Sequence, residues 1–91
     1  SMKAVHISEL RSRIDALRLA RGLSAWPWTS ASAGTLIRAT HITEMRTALD
    51  AVFQARGVSA PTYLDGPTLA AGTPIKALHI TQLRLAVTSL E

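Results

Sequence analysis

The sequence predicts an all-α domain of three helices in a roughly parallel, pseudo-threefold bundle, joined by two long ordered loops. A nine-residue pattern carries most of that prediction. It reads Lys3-Ala4-Val5-His6-Ile7-Ser8-Glu9-Leu10-Arg11, returns as Arg38-Ala39-Thr40-His41-Ile42-Thr43-Glu44-Met45-Arg46, and returns again as Lys76-Ala77-Leu78-His79-Ile80-Thr81-Gln82-Leu83-Arg84. The periods are 35 and 38 residues, in the range of stacked or pseudo-symmetric supersecondary units. Apolar residues at helical spacing follow each copy, and the segments between copies are long.

Helix 1 is expected over residues 3–21. Ile7, Leu10, Ile14 and Leu17 step by three, four and three residues, which lines one helix face for about two heptads. Arg21-Gly22 closes it, since glycine supplies the left-handed residue on which helices commonly end. Helix 2, over 38–56, repeats the stripe with Ile42, Met45, Leu49 and Val52 and the stop with Arg56-Gly57. Helix 3, over 76–90, carries Ile80, Leu83, Val87 and Leu90. Thr73-Pro74 would suit an N-cap and first turn, but the stripe fits a start near Lys76.

The connectors resemble each other as well. Gly22-Leu23-Ser24-Ala25 corresponds to Gly57-Val58-Ser59-Ala60, Trp28 to Tyr63, and Gly34-Thr35-x-Ile37 to Gly72-Thr73-x-Ile75. Pro27, Pro61, Pro67 and Pro74 mark these segments as irregular but ordered. At roughly 15 to 19 residues they exceed the two to eight usual between neighbouring antiparallel helices. Parallel helices need that length, because the chain must travel back along about 22 Å of helix at 1.5 Å per residue. An up-down-up bundle is the rival arrangement. Trp26, Trp28, Phe53 and Tyr63 are expected to cover the apolar edges between loops and helices.

Composition bounds the rest. Hydrophobic residues are 47% and charged residues 18% of 91, the balance of a globular domain. Ser1-Met2 reads as a tag remnant, leaving residues 3–91 as one helical repeat domain, expected to be a piece of a larger protein. No apolar run approaches the roughly 20 residues that cross a bilayer, so no membrane insertion is expected. No signal peptide is read, which in a piece of a larger protein says nothing of compartment. The absence of cysteine excludes disulfides, thiol catalysis and cysteine-ligated metal sites. Ten Lys/Arg against six Asp/Glu favour an anionic partner.

The repeated polar residues flank the stripe. At 100° per residue His6 falls about 60° to one side of its centre and Arg11 about 80° to the other, and the same holds for His41/Arg46 and His79/Arg84. Ser8 and Glu9 point away from the core. In a parallel bundle these edges line the inter-helix grooves, with His6 beside Arg46, His41 beside Arg84, and a third equivalent. Three histidines suggest a zinc site, but the axis belongs to Ile7, Ile42 and Ile80, and no carboxylate recurs at second-shell spacing. No metal or other cofactor is therefore expected. Each imidazole is expected instead to bond a backbone group of the cap or loop. Arg11, Arg46 and Arg84 suit either loop carbonyls or a recurring anion contact. Asp15 and Asp50 are expected to pair with arginines, and Glu9 with Arg13.

The segment Gly57-Val58-Ser59-Ala60-Pro61-Thr62-Tyr63-Leu64-Asp65-Gly66 resembles the loop of S-layer homology modules, and Pro74-Ile75-Lys76-Ala77-Leu78-His79-Ile80 resembles their helix start. The resemblance implies a pseudo-threefold helical prism binding anionic cell-wall polymers between repeats. The position of that family's binding arginine falls on Ala77 here, and its additional helix is missing. The His-Ile-x-Glu-Leu-Arg helix also resembles repeats near the C-terminal ends of large modular secreted bacterial proteins.

No Ser-His-Asp order, paired carboxylates, phosphate loop or His-Glu-x-x-His is present, so no enzymatic activity is expected. The expected function is a non-catalytic binding or assembly module, extracellular or in the cell envelope, attaching a larger bacterial protein to a cell-wall polymer or partner protein. His6, His41, His79, Arg11, Arg46, Arg84 and Trp26 are its candidate groove residues, Trp26 as a ring able to stack on a sugar or to pack in the core. A nucleic-acid-binding domain is the alternative, from Arg11, Arg13, Arg18 and Arg21 on helix 1. A structural or oligomerisation unit is a third.

Overall fold

A computed structural model describes residues 5–31, 36–66 and 69–91, with side chains from Ile7 onward. Lys3, Ala4, Gly34, Thr35, Pro67 and the His6 side chain, all used in the sequence reading, lie outside that description.

Three α-helices form: α1 (Val5–Ala20), α2 (Ala39–Arg56) and α3 (Ala77–Leu90). No strand is present among the described residues, and each helix packs on both others. The predicted stripes make the core. Ile7, Leu10, Ile14, Ile42, Met45, Leu49, Val52, Ile80, Leu83, Val87 and Leu90 are buried, and Leu17 is half-buried against them. The connectors add buried Ile37, Tyr63 and Leu69, while Trp26 and Trp28 pack half-buried on the same cluster.

Contacts across the helices fix their direction. From α1 to α2, Arg11 lies 3.8 Å from Glu44, and Arg18, one helical stretch further on, donates to the Ala48 carbonyl at 2.9 Å. From α1 to α3, Glu9 meets Arg84 at 2.6 Å, and Arg13 meets Glu91. Between α2 and α3, Arg46 and Gln82 hold the same connector residue, Leu64, and Arg56 donates to the Leu90 carbonyl. Residue numbers rise together in every pair, so the three helices run in one direction and the up-down-up rival is excluded.

Helix boundaries have local causes. Arg38 and Lys76 are the N-caps of α2 and α3, both in extended backbone. Their amides donate to Nδ1 of His41 and His79, each at 2.9 Å. Histidine thus stands at the third helical position and returns to the cap amide, as glutamate does in a capping box. At the other end Gly57 takes φ +70°, and the Val58 amide returns to the Phe53 carbonyl at 3.0 Å, closing a six-to-one turn that a Cβ would strain. Gly22 (φ +77°) with Leu23 on the Arg18 carbonyl repeats it. No described helix is long and apolar enough to cross a membrane.

Candidate functional site: the grooves between helices

Each connector lies in the groove between the helices it joins, held through three consecutive residues. In the first groove these are Trp28, Thr29 and Ser30. The Thr29 amide donates to Glu44 Oε1 of α2 at 3.0 Å, while its carbonyl accepts from the Arg11 guanidinium of α1 at 2.8 Å. The Thr29 hydroxyl also donates to the Glu44 carboxylate. The Trp28 ring lies under Arg11, 5.2 Å from Cζ, and the Ser30 carbonyl accepts from His41 Nε2 at 3.2 Å. Because His41 Nδ1 takes the Arg38 amide proton, its own proton sits on Nε2.

The second groove repeats this on Tyr63, Leu64 and Asp65. The Leu64 amide donates to Gln82 Oε1 at 2.9 Å, and its carbonyl accepts from Arg46 at 2.9 Å. Arg46 also holds the Gly66 carbonyl at 2.8 Å, its guanidinium 4.8 Å from the Tyr63 ring centre. His79 Nε2 donates to Asp65 Oδ2 at 2.8 Å. Glutamate and glutamine share one task at this repeat position, a carbonyl-type oxygen that accepts the connector amide; Glu44 adds the Thr29 hydroxyl and the Arg11 guanidinium.

The observed pairings correct the expected ones. His41 shares a groove with Arg11, and His79 shares one with Arg46, so His41 is not beside Arg84; the pairing expected for His6 lies outside the described residues. The hand of the bundle decides this. Since a connector runs from one helix to the next through the groove between them, it meets the arginine of the helix it leaves and the histidine of the helix it enters. Asp15 is also corrected. Its oxygens accept the Trp26 amide and the Trp28 indole Nε1–H, both at 2.9 Å, and its charge reaches Arg11 without a salt bridge among the described residues. Glu44, expected to face outward with Glu9, turns into the connector.

Between α3 and α1 an arginine and a glutamate of the repeat meet directly, with no connector between them among the described residues. Arg84 donates directly to Glu9 Oε1 at 2.6 Å, with side chains 43% and 61% exposed. Arg13, 3.6 Å from Glu9, forks onto both oxygens of Glu91 and reaches Thr88 Oγ1 at 3.4 Å. The hydrogen bond and charge of Arg84 lower the Glu9 pKa, and those of Arg13 lower that of Glu91.

The remaining candidates fall as follows. Burial lowers the Arg11 and Arg46 pKa values, opposed by nearby carboxylates and, for Arg46, by Tyr63; both guanidinium groups point at loop carbonyls. Both ring nitrogens of His41 and His79 are engaged, and the described residues hold no group of three or more His, Cys, Asp or Glu placed around a metal ion. Trp26 sits half-buried with its ring 5.1 Å from Arg18 Cζ. Its counterpart Pro61 helps line an apolar groove of about 440 Å³ with Phe53, Val58, Tyr63, Leu85 and Ala86. Arg18, which the sequence places on a basic face, has a different role. It is buried and holds the Ser24 and Ala48 carbonyls.

No protein-family model matches the chain, and comparisons with curated proteins and with solved structures returned no match.

Proposed function

We propose that this domain is a non-catalytic binding and assembly module through which a larger secreted or envelope-associated bacterial protein attaches to a partner protein or a cell-wall polymer. The observation that carries the reading is the unequal use of three equivalent grooves. Two are filled by the chain's own connectors, whose backbone amides and carbonyls consume the repeated His, Arg and Glu/Gln side chains. The third presents its Arg and Glu to solvent. The likeness of residues 57–66 and 74–80 to S-layer homology modules supports the envelope setting.

The nucleic-acid alternative loses support at its own residues. Arg11, Arg13 and Arg18 are bound to Thr29, Glu91 and the Ser24 and Ala48 carbonyls, which leaves Arg21 as the exposed remainder of that face. Retention on purified bacterial cell wall and on immobilised envelope protein, across a salt titration, tests the proposal. Retention that falls with salt is expected. No retention on either at low salt, together with tight DNA binding, overturns it.

A further inference from the structure

We propose that the α3/α1 groove is a receptor for an extended segment of a partner protein bearing an aromatic residue followed by a residue clamped through its backbone, as in Trp28-Thr29 and Tyr63-Leu64. This rests on the binding-module reading and names the site and partner chemistry.

Two worked templates for the interaction lie in the same molecule. In each, an arginine of the leading helix takes a backbone carbonyl, and a Glu or Gln of the following helix takes the amide of the same residue. A peptide unit is complementary to such a pair, because it offers one acceptor and one donor on a single residue. Arg84 and Glu9 are the corresponding pair of the third groove; they bond each other at 2.6 Å, with Arg13 3.6 Å from Glu9. An exposed ion pair of this kind is worth little in water, so exchanging it for two charge-assisted hydrogen bonds to a peptide is a small step. The ring beneath Arg11 and the ring beneath Arg46 give the reason for an aromatic side chain, which would stack on Arg84.

One residue sets this groove apart. Seven residues after each repeat histidine stand Arg13, Ala48 and Ala86. Ala48 and Ala86 are buried, whereas Arg13 holds Glu91 at the surface. Arg13 therefore lies across the place a ring takes in the other grooves and must swing away to admit one. Its removal restores the small residue of the two filled grooves.

The test is titration of the intact 91-residue protein with a synthetic peptide of residues 59–66, by calorimetry or amide chemical shifts. Saturable binding is expected. Loss of one hydrogen-bonding partner should weaken it about tenfold in Glu9→Ala and in Arg84→Ala. Glu9→Gln should bind at least as well as the wild type, because Gln82 already does this work and the competing ion pair is gone. Arg13→Ala should bind more tightly. All three sites are partly exposed, and circular dichroism verifies folding. Absence of binding to wild type, Glu9→Gln and Arg13→Ala overturns the inference, leaving an ion-paired seam. Binding unchanged in Glu9→Ala and Arg84→Ala overturns it too, and points to the apolar groove beside Tyr63. Retention on cell wall or envelope protein without peptide binding sinks this inference while sparing the proposed function; loss of both sinks the two together.

Discussion

Truncating the three repeat arginines one at a time to alanine separates what their shared sequence position hides. Arg46 is 1% exposed, holds two loop carbonyls at 2.8 and 2.9 Å and covers the Tyr63 ring. Hydrogen bonds to a charged group contribute about 1.5–3 kcal/mol each, and removing the donor leaves two half-buried carbonyls without it. Arg46→Ala should therefore cost about 3–5 kcal/mol. That is a large share of the roughly 5–14 kcal/mol expected for a domain of this size, and at about 4–8 °C per kcal/mol the melting temperature should fall by at least ~12 °C. Arg11 holds one carbonyl and stacks on Trp28, so its loss should cost about half as much. Arg84 faces only the exposed Glu9, and Arg84→Ala should be hard to distinguish from wild type. Thermal denaturation followed by circular dichroism ranks the three. Equal losses, or a larger one for Arg84 than for Arg46, would refute the argument that connector carbonyls decide the cost.

Three further outcomes follow from the same contacts. His79→Ala removes the acceptor for the Lys76 amide and the donor to Asp65 at a fully buried site; a loss of about 2–4 kcal/mol in urea unfolding is expected, and a loss below 1 would contradict the capping role. Glu9 and Glu91 have lowered pKa values, so their stabilising effect is present above the ordinary carboxylate range and is lost as pH falls through the depressed values; acid unfolding midpoints of wild type and Arg13→Ala should draw together at high salt. Burial, with Asp50, pushes the Tyr63 phenol up to about 12 from 10.0, so the folded state holds a proton the unfolded chain releases. Stability should be intact below pH 10 and fall by about 3 kcal/mol as pH rises toward 12, read from tyrosinate absorbance of the single tyrosine, with Tyr63→Phe free of the effect.

Much of this architecture is legible in the sequence because it rests on apolar spacing. The stripe Ile42, Met45, Leu49, Val52 fixes a buried face, and Gly57 fixes a stop, both through local geometry. Connector length gave the parallel direction through a distance argument. Groove pairing was not legible, because the sequence pattern is the same for either hand of the bundle and only the connector's path selects one. Asp15 misled for a related reason. A carboxylate on a helix flank amid arginines suggests an ion pair, but Trp26 and Trp28 bring an amide and an indole N–H to it from residues whose fold has no periodic signature. The Glu/Gln alternation did contain the signal for the clamp, since what both residues share is an oxygen able to accept the connector amide.

The two filled grooves explain why parallel neighbours are feasible in so small a domain. Return segments of this length carry backbone amides and carbonyls that must be satisfied, and the described residues form no sheet to do it. The repeat supplies that partner set from the helices: histidine caps the helix start and holds the loop, arginine takes a carbonyl, and Glu or Gln takes an amide. A connector so held ties two helices along their length. The α3/α1 seam has side-chain ion pairs in its place, screened by salt and shared between exposed groups. It follows that α1 and α3 should separate before either leaves α2. Hydrogen exchange by mass spectrometry can follow this, with protection of the Arg13 and Thr88 region falling with added salt while that of Thr29 and Leu64 does not.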